Sequence, residues 1–345
     1  MEKFYSVVGA GGWGTALSLI MAGKGYRVKL WVRTAKNCDQ VKEERENKKY
    51  LPGIYLPDNI VVSNDLEEII ENSKLIVLAV PSHSFRKVVK EIKNNIYKEA
   101  VLVSATKGIE IDTLMRMSQV LGEELGPNYF TRIAALSGPN HAEEVSREIP
   151  SATVVAAEKR ETAKLVQDVF MSPSFRVYTN PDLTGVELGG SLKNIIALGS
   201  GISDGLNFGD NTKAALMTRG LVEISRLGIS MGASPLTFAG LAGVGDLIAT
   251  CTSNHSRNRK AGIMLGEGKK AEDITKAMEM VVEGIKTTKA AWKLSKKYSV
   301  EMPITQEIYE VIFNNKNPRS AVEDLMLRDK KFEMEEIVRD NLDNW

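Results

Sequence analysis

Apolar and polar positions follow one rhythm in the first half of the chain and another in the second. Short apolar runs recur at Phe4–Val8, Tyr26–Val32, Leu75–Val80, Val101–Ser104 and Ile133–Leu136, each followed by a polar turn. Runs of that length bounded by turn residues read as buried strands. Ile60–Val62 reads as a further short strand and Leu66–Glu71 as a helix. Ala152–Ala157 and Phe175–Tyr178 are strand-like pieces around a helix at Glu161–Phe170. Strands alternating with helical segments predict a parallel, doubly wound sheet. Asn37–Tyr50 is densely charged and reads as an exposed helix or insertion, with a proline-bounded loop after it at Leu51–Pro57. Past Asp182 the pattern becomes alanine- and glycine-rich and helical, without convincing strands. The expected organisation is α/β, with a sheet domain over residues 1–185 and an all-helical domain over 186–345.

The helical part opens on Glu187–Gly205, an apolar stretch with Lys193 in its middle and no other formal charge until Asp204. Gly189, Gly190 and Ala197 stand three or four positions away, on the same face of a helix. Other atoms can therefore approach the lysine closely. A buried ammonium is costly unless paired, and burial lowers its pKa toward the range useful for proton transfer. Lys193 reads either as a structural lysine, snorkelling or ion-paired, or as a proton-transfer group. Phe238–Thr250 is likewise apolar apart from Asp246, an isolated acid for which Lys193 is the natural partner.

The first strand runs into Gly9-Ala10-Gly11-Gly12-Trp13-Gly14, and a helical pattern and a second strand follow. Gly9, Gly11 and Gly14 fit G-x-G-x-x-G in the context that gives the motif meaning. The first glycine permits the tight turn, the second admits a pyrophosphate, and the third lets the helix pack on the strand. This makes the N-terminal domain Rossmann-type. No Gly-Lys-Ser/Thr follows, which argues against a nucleoside-triphosphate loop. At the end of the second strand stands Arg33, with Thr34 and Lys36 beyond, where NAD-specific proteins usually place an acid. An arginine there pairs with a 2′-phosphate, so NADPH is expected as preferred cofactor with NADH possible. The alternative is an Arg33 that stacks on adenine or points to solvent, leaving both usable.

Ligands of such sheets bind beyond the carboxyl ends of the strands. Pro81, Ser82, Lys107 and the Gly138–Asn140 turn all fall there, and Lys107 is a candidate for a phosphate or a polarised carbonyl. In the helical half, Ser256 is a plausible N-cap, and helix-start amides beside Arg257 would seat a phosphate. Arg259 and Lys260 read as a basic, solvated turn. His83, His141 and His255 sit in loops and read as satisfied or exposed histidines. Val281-Val282-Glu283-Gly284 starts another helical region, Pro303-Ile304 a late helix, and a charged terminal segment follows Arg328.

Lys plus Arg number 45 and Asp plus Glu 44, a net charge of +1, which argues against nucleic acid or a membrane surface as partner. Cys38 and Cys251 are too few for a disulfide scaffold and lack zinc-site spacing, so no metal is expected. Met1–Phe4 leads into a strand without a signal-peptide core, and the apolar run at Leu192–Ile202 is short for a membrane span. A soluble, cytoplasmic protein is expected.

These motifs, in this order, resemble the bacterial type of NAD(P)-dependent sn-glycerol-3-phosphate dehydrogenase over nearly the whole chain. The carrying residues are Gly9–Ala16, Ala105-Thr106-Lys107-Gly108, Gly138-Pro139 with Ala142-Glu143-Glu144-Val145, Leu192-Lys193-Asn194, Gly243–Leu247, Ser256-Arg257-Asn258 and Val282-Glu283-Gly284. The resemblance implies reversible reduction of dihydroxyacetone phosphate to sn-glycerol 3-phosphate for phospholipid synthesis, with Lys193 as acid/base. It implies Lys107, Gly138, Asn140, Asp246, Ser256, Arg257 and Asn258 on the substrate side. Gly12, Trp13, Arg33, Lys107, Ala142, Arg257, Val281 and Glu283 would touch the nucleotide. Asn140 departs from the family's usual serine, and a homodimer is possible because such helical domains often pack on a copy. Two other readings stand beside it: a lysine-base dehydrogenase of 3-hydroxy or sugar acids, and a nucleotide-binding sensor that has lost catalysis. The basic turn favours a phosphorylated substrate over the first. Lys193 and Asp246 in apolar runs speak against the second, since a mere binder need not bear their desolvation.

Overall fold

The structure, a computed structural model, describes residues 4–278, 281–330 and 333. Met1–Lys3 and most of the charged segment expected after Arg328 lie outside the described residues. The N-terminal part runs β1 (Phe4–Val8), α1 (Gly12–Gly23), β2 (Val28–Trp31), α2 (Ala35–Glu44), β3 (Ile60–Ser63), α3 (Leu66–Ile70), β4 (Ser73–Leu78) and α4 (Ser82–Ile92). It continues through β5 (Val101–Ser104), α5 (Met117–Leu125), β6 (Ile133–Ser137), α6 (Ala142–Val145), β7 (Ser151–Ala157), α7 (Arg160–Phe170) and β8 (Phe175–Asn180). All the strands join one sheet in the order β3-β2-β1-β4-β5-β6-β7-β8. Because successive strand side chains point to opposite faces, Val7, Leu30, Val77 and Val103 build the core on one side. Val8, Ile76, Leu78 and Leu102 build it on the other.

The sheet is not parallel throughout. From β3 to β6 it is, as the pattern predicts, but β7 pairs antiparallel to β6, with Ala134 opposite Ala157. Residues 138–150 join the two strands through the four-residue α6, without the long crossover helix that usually links parallel neighbours. A parallel pair with β7 then places β8 at the edge.

The helical part comprises α8 (Leu183–Gly205), α9 (Asp210–Ser230), α10 (Pro235–Phe238), a π turn at Leu241–Gly245, α11 (Asp246–Thr252) and α12 (Arg257–Gly266). It continues with α13 (Ala271–Ala277), α14 (Glu283–Tyr298), α15 (Pro303–Phe313) and α16 (Pro318–Met326). The α8 helix is buried without a break from Gly185 to Ser203, as a helix apolar all round must be. Where it crosses α12, glycines face each other. A Cβ on Gly201 would overlap the Arg259 carbonyl, and one on Gly262 the Leu198 carbonyl. Gly205 and Gly266 repeat the arrangement one turn on. Glu187 fastens α8 to the sheet domain, its carboxylate accepting from Ser118 N (2.7 Å), Ser118 Oγ (2.5 Å) and Arg116. Pro235–Thr252 has the length and hydropathy of a membrane span, yet it is broken into α10, the π turn and α11, and it carries Asp246.

Candidate active site

At the C-terminal edge of β1 the chain turns through Gly9, whose φ of 117° is a left-handed conformation favouring glycine. A Cβ there would lie 2.7 Å from Ala79 O, and one on Gly14 would overlap Gly9 O, so α1 packs directly on the turn. At Gly11 a Cβ would meet nothing within 4 Å. The α1 N-terminus has no side-chain cap, so its first amides face an open cradle. A dinucleotide pyrophosphate fits that space and chemistry. Gly12 borders the cradle beside Ala142, the first residue of α6, with its Cβ position 3.4 Å from Ala142 Cβ. Trp13, on α1, packs on Phe175 with ring centroids 6.4 Å apart, and its indole Nε1 is buried with no hydrogen-bond partner among the described residues.

The 37–50 stretch behaves differently from the exposed helix expected of it. Its helix α2 is mostly exposed, but Asn47 just beyond is buried and donates to Ala10 O and Thr15 Oγ1, both at 2.9 Å. A buried amide thus braces the glycine turn from behind. The densely charged surroundings hid this residue in the sequence. Arg33 lies just past β2, exposed, and makes no hydrogen bond or ion pair among the described residues.

The second half of the site is a cluster of charge under α8. Lys193, 5% exposed, donates from Nζ to one Asp246 oxygen and to Thr250 Oγ1. The other Asp246 oxygen accepts from Lys107 Nζ at 2.8 Å, and Lys107 also donates to Gly138 O at 2.8 Å. One carboxylate therefore bridges two ammonium groups, leaving the buried cluster net positive. Burial pushes Lys193 down to about 8 from an ordinary 10.5, and Lys107 adds to the fall while Asp246 opposes it. The small face of α8 makes the approach possible. A Cβ on Gly190 would overlap Ser137 Oγ and sit 3.7 Å from the Lys107 chain, and one on Gly189 would overlap the Ala242 carbonyl of the π turn.

Around this cluster, α12 begins with Ser256 as its cap, Oγ accepting from Arg259 N at 3.2 Å. Arg257 is exposed and touches Val281 O at 3.3 Å. Asn258 ties three helices together: it donates to Asn194 Oδ1 (2.8 Å) on α8 and accepts from Gly284 N (2.9 Å) on α14. Arg259 is not the solvated residue expected. It is paired with Asp204 at 2.7 Å and Asn254 Oδ1 at 2.9 Å, since α8 passes directly beneath it. Glu283 reaches back to the sheet domain, accepting from Ser82 N (3.0 Å) and Ser82 Oγ (2.7 Å).

Asn140 is at the expected edge, but its amide is turned to backbone, donating to Pro139 O (3.0 Å) and Ala152 O (2.8 Å). Its buried Oδ1 has no hydrogen-bond partner among the described residues. His83 is the second residue of α4 rather than a loop residue. His141 precedes α6, with Nε2 3.3 Å from Ala249 O, and its ring lies 6.0 Å from that of the exposed His255. The sequence reading assigned no role to Thr250 or Asn47, and Asn194 entered only as part of the Leu192-Lys193-Asn194 motif. Thr250 offered one signal, standing one helical turn after Asp246.

Comparison with known proteins accounts for both halves. The family model described as NAD-dependent glycerol-3-phosphate dehydrogenase N-terminus matches residues 5–163, and that described as its C-terminus matches 182–323. The chain is 57% identical to glycerol-3-phosphate dehydrogenase [NAD(P)+] of Pelotomaculum thermopropionicum, over 98% of this chain and 97% of that one. It is 52% identical to the same enzyme of Geobacillus thermodenitrificans, over 96% and 97%. The crystal structure of glycerol-3-phosphate dehydrogenase from Coxiella burnetii superposes with a TM-score of 0.91 at 37% identity, covering 95% of this chain and 99% of that chain. A ketopantoate reductase family structure from Ralstonia eutropha, 13% identical at a TM-score of 0.60, shares the fold alone.

Proposed function

The chain belongs to the NAD-dependent glycerol-3-phosphate dehydrogenase family, and from that premise we propose the division of labour in its site. The reaction is reversible reduction of dihydroxyacetone phosphate to sn-glycerol 3-phosphate with NAD(P)H, supplying glycerophospholipid synthesis. The nicotinamide supplies the hydride when bound. The chain's own residues do the rest. Lys193 donates a proton to the carbonyl oxygen in reduction and takes one from the hydroxyl in oxidation. The observation that carries this role is its burial against Asp246 with its pKa lowered to about 8, so both protonation states are within reach near neutral pH. Asp246 and Thr250 fix the ammonium in place, and Lys107 adds positive potential where negative charge develops. The Ser256-capped start of α12, with Arg257 and Asn258, grips the substrate phosphate and holds the carbonyl still. Gly138 and Asn140 close the substrate side from the β6 turn.

Gly9, Gly11, Gly12 and Gly14 cradle the pyrophosphate, with Trp13, Ala142, Lys107, Arg257, Val281 and Glu283 along the nucleotide. Arg33 meets the ribose 2′-phosphate and gives NADPH preference over NADH. The site is divided between residues 1–185, which bind the nucleotide, and 186–345, which carry the acid/base. The enzyme works in the cytoplasm, without membrane insertion, and its helical part offers a surface for a homodimer.

The first test is oxidation of NADPH and of NADH by the purified protein, with and without dihydroxyacetone phosphate. Oxidation that requires the ketone phosphate and is faster with NADPH is the expected result. Binding of NADPH without turnover would return catalysis itself to question. For the cofactor, Arg33→Asp is expected to shift the NADPH:NADH ratio of kcat/KM toward NADH by about tenfold or more, since an ion pair becomes a repulsion. An unchanged ratio would remove the 2′-phosphate contact from Arg33.

A further inference from the structure

Two more basic side chains, Lys286 and His83, stand near Arg33 without an acceptor among the described residues. Lys286, on the first turns of α14, is half-buried yet makes no hydrogen bond or ion pair among the described residues. His83, on the first turn of α4, also makes none. What brings them together is the double bond from Ser82 N and Oγ to the Glu283 carboxylate. That tie sets the start of α4 against the start of α14. His83 follows Ser82, and Lys286 stands one turn beyond Glu283, on the same helix face.

The sheet order brings Arg33 to the same place. In the sequence β2-β1-β4, the ends of β2 and β4 flank the glycine turn at the end of β1. Arg33 leaves the first and His83 follows the second, across the crevice where such sheets bind nucleotides. The mutual field agrees with the geometry: His83 is held below its ordinary pKa, first by burial, then by Lys286 and Arg33, with Glu283 opposing. On its other side Arg86, Lys87, Lys90, Glu91 and Glu110 share a depression with His83, and each of these is ion-paired, Arg86 with Glu110, Lys87 with Glu91 and Lys90 with Glu124. Glu283 offsets part of the mutual field, but both of its oxygens bond to Ser82 and neither bonds to Lys286 or His83. A half-buried ammonium without an acceptor among the described residues, near an imidazole and a guanidinium, marks a place for an anion.

We propose that Lys286 and His83 complete, with Arg33, a three-sided seat for the ribose 2′-phosphate of NADPH. This rests on the reading of Arg33 given above and extends it: the helical part as well as the sheet reads the phosphate. NADH carries a hydroxyl there, so Arg33, Lys286 and, once protonated, His83 would repel one another with no anion between them.

The experiment is equilibrium binding of NADPH and of NADH, by nucleotide fluorescence, to the full chain and to the Lys286→Met and His83→Gln variants. Lys286→Met is expected to lower the NADPH:NADH affinity ratio about tenfold, the size of one partly solvated charge-assisted contact. The ratio for the unaltered protein should rise as pH falls into the range, below the ordinary imidazole value, where His83 gains its proton, and His83→Gln should lose that rise. Equal weakening of both nucleotides would mean that these residues hold the shared pyrophosphate or only support the fold, and would overturn the seat. Unchanged ratios in both variants would overturn it as well. A ratio near one in the unaltered protein would instead overturn the Arg33 reading, a failure distinct from the other two.

Discussion

Replacing Lys193 by alanine is expected to cut turnover by ~10³-fold or more, while NADPH still binds. The nucleotide cradle is built at the end of β1 and does not depend on the lysine, whereas the proton does. Alanine would also leave Asp246 with Lys107 as its charged partner, so Lys193→Arg is the sharper variant. Arginine keeps the positive charge near Asp246 but cannot give up its proton in this range. If Lys193 serves only as a buried cation, Lys193→Arg should retain much of the rate; if it moves the proton, both variants should be inactive. The pH profile carries the same sign test. Reduction needs the ammonium form, so its rate should fall as pH rises through about 8; oxidation needs the free amine and should rise over the same window. Profiles without a break near that pH, in single-turnover measurements with either direction, would remove the proton role.

The second large effect is on folding. Alanine in a helix interior is normally better than glycine by about 0.5–1 kcal/mol. At Gly201 and Gly262 the sign should reverse. A Cβ on Gly201 would overlap the Arg259 carbonyl and lie 2.8 Å from Gly262 Cα, and one on Gly262 would overlap the Leu198 carbonyl. These neighbours are backbone and cannot rotate aside, so α8 and α12 must separate. A loss of about 2–4 kcal/mol is expected for either substitution, in the upper range for overpacking. Separation would also stretch the Asn194–Asn258 bond, 2.8 Å, that aligns the lysine helix with the start of α12, so KM for the ketone phosphate should rise. Gly23→Ala at the end of α1, where a Cβ meets nothing within 4 Å, is the control and should be neutral or stabilising. Urea unfolding midpoints decide it: similar stabilities for Gly201→Ala and Gly23→Ala would show that the crossing is loose.

Much of this protein was determined by the sequence read locally. The apolar runs at Val101–Ser104 and Ile133–Leu136 became β5 and β6, because strand burial and turn residues leave a periodicity that needs no partner to be seen. The glycine turn was legible because its three glycines keep a fixed spacing within one strand–turn–helix unit, where Gly14 packs on Gly9 and Gly11 leaves the cradle open. The pairing of Lys193 with Asp246 could be inferred although they are 53 residues apart, since each is a lone charge in an apolar run and each needs the other. Other features took their meaning only from tertiary structure. Lys107 has no unusual neighbours in sequence, and its bond to Asp246 spans 139 residues, so only the packing of α11 on the sheet edge reveals that one carboxylate serves two lysines. Asn47 looks solvated among charges but is buried once the 45–56 loop folds under the glycine turn. Arg259 reads as a surface cation until α8 brings Asp204 beneath it. The direction of β7 likewise depended on a connection after β6 whose helix, α6, has four residues and makes no crossover. A local pattern records what a residue must avoid, which is water or steric conflict; which partner satisfies it is decided only when distant segments meet.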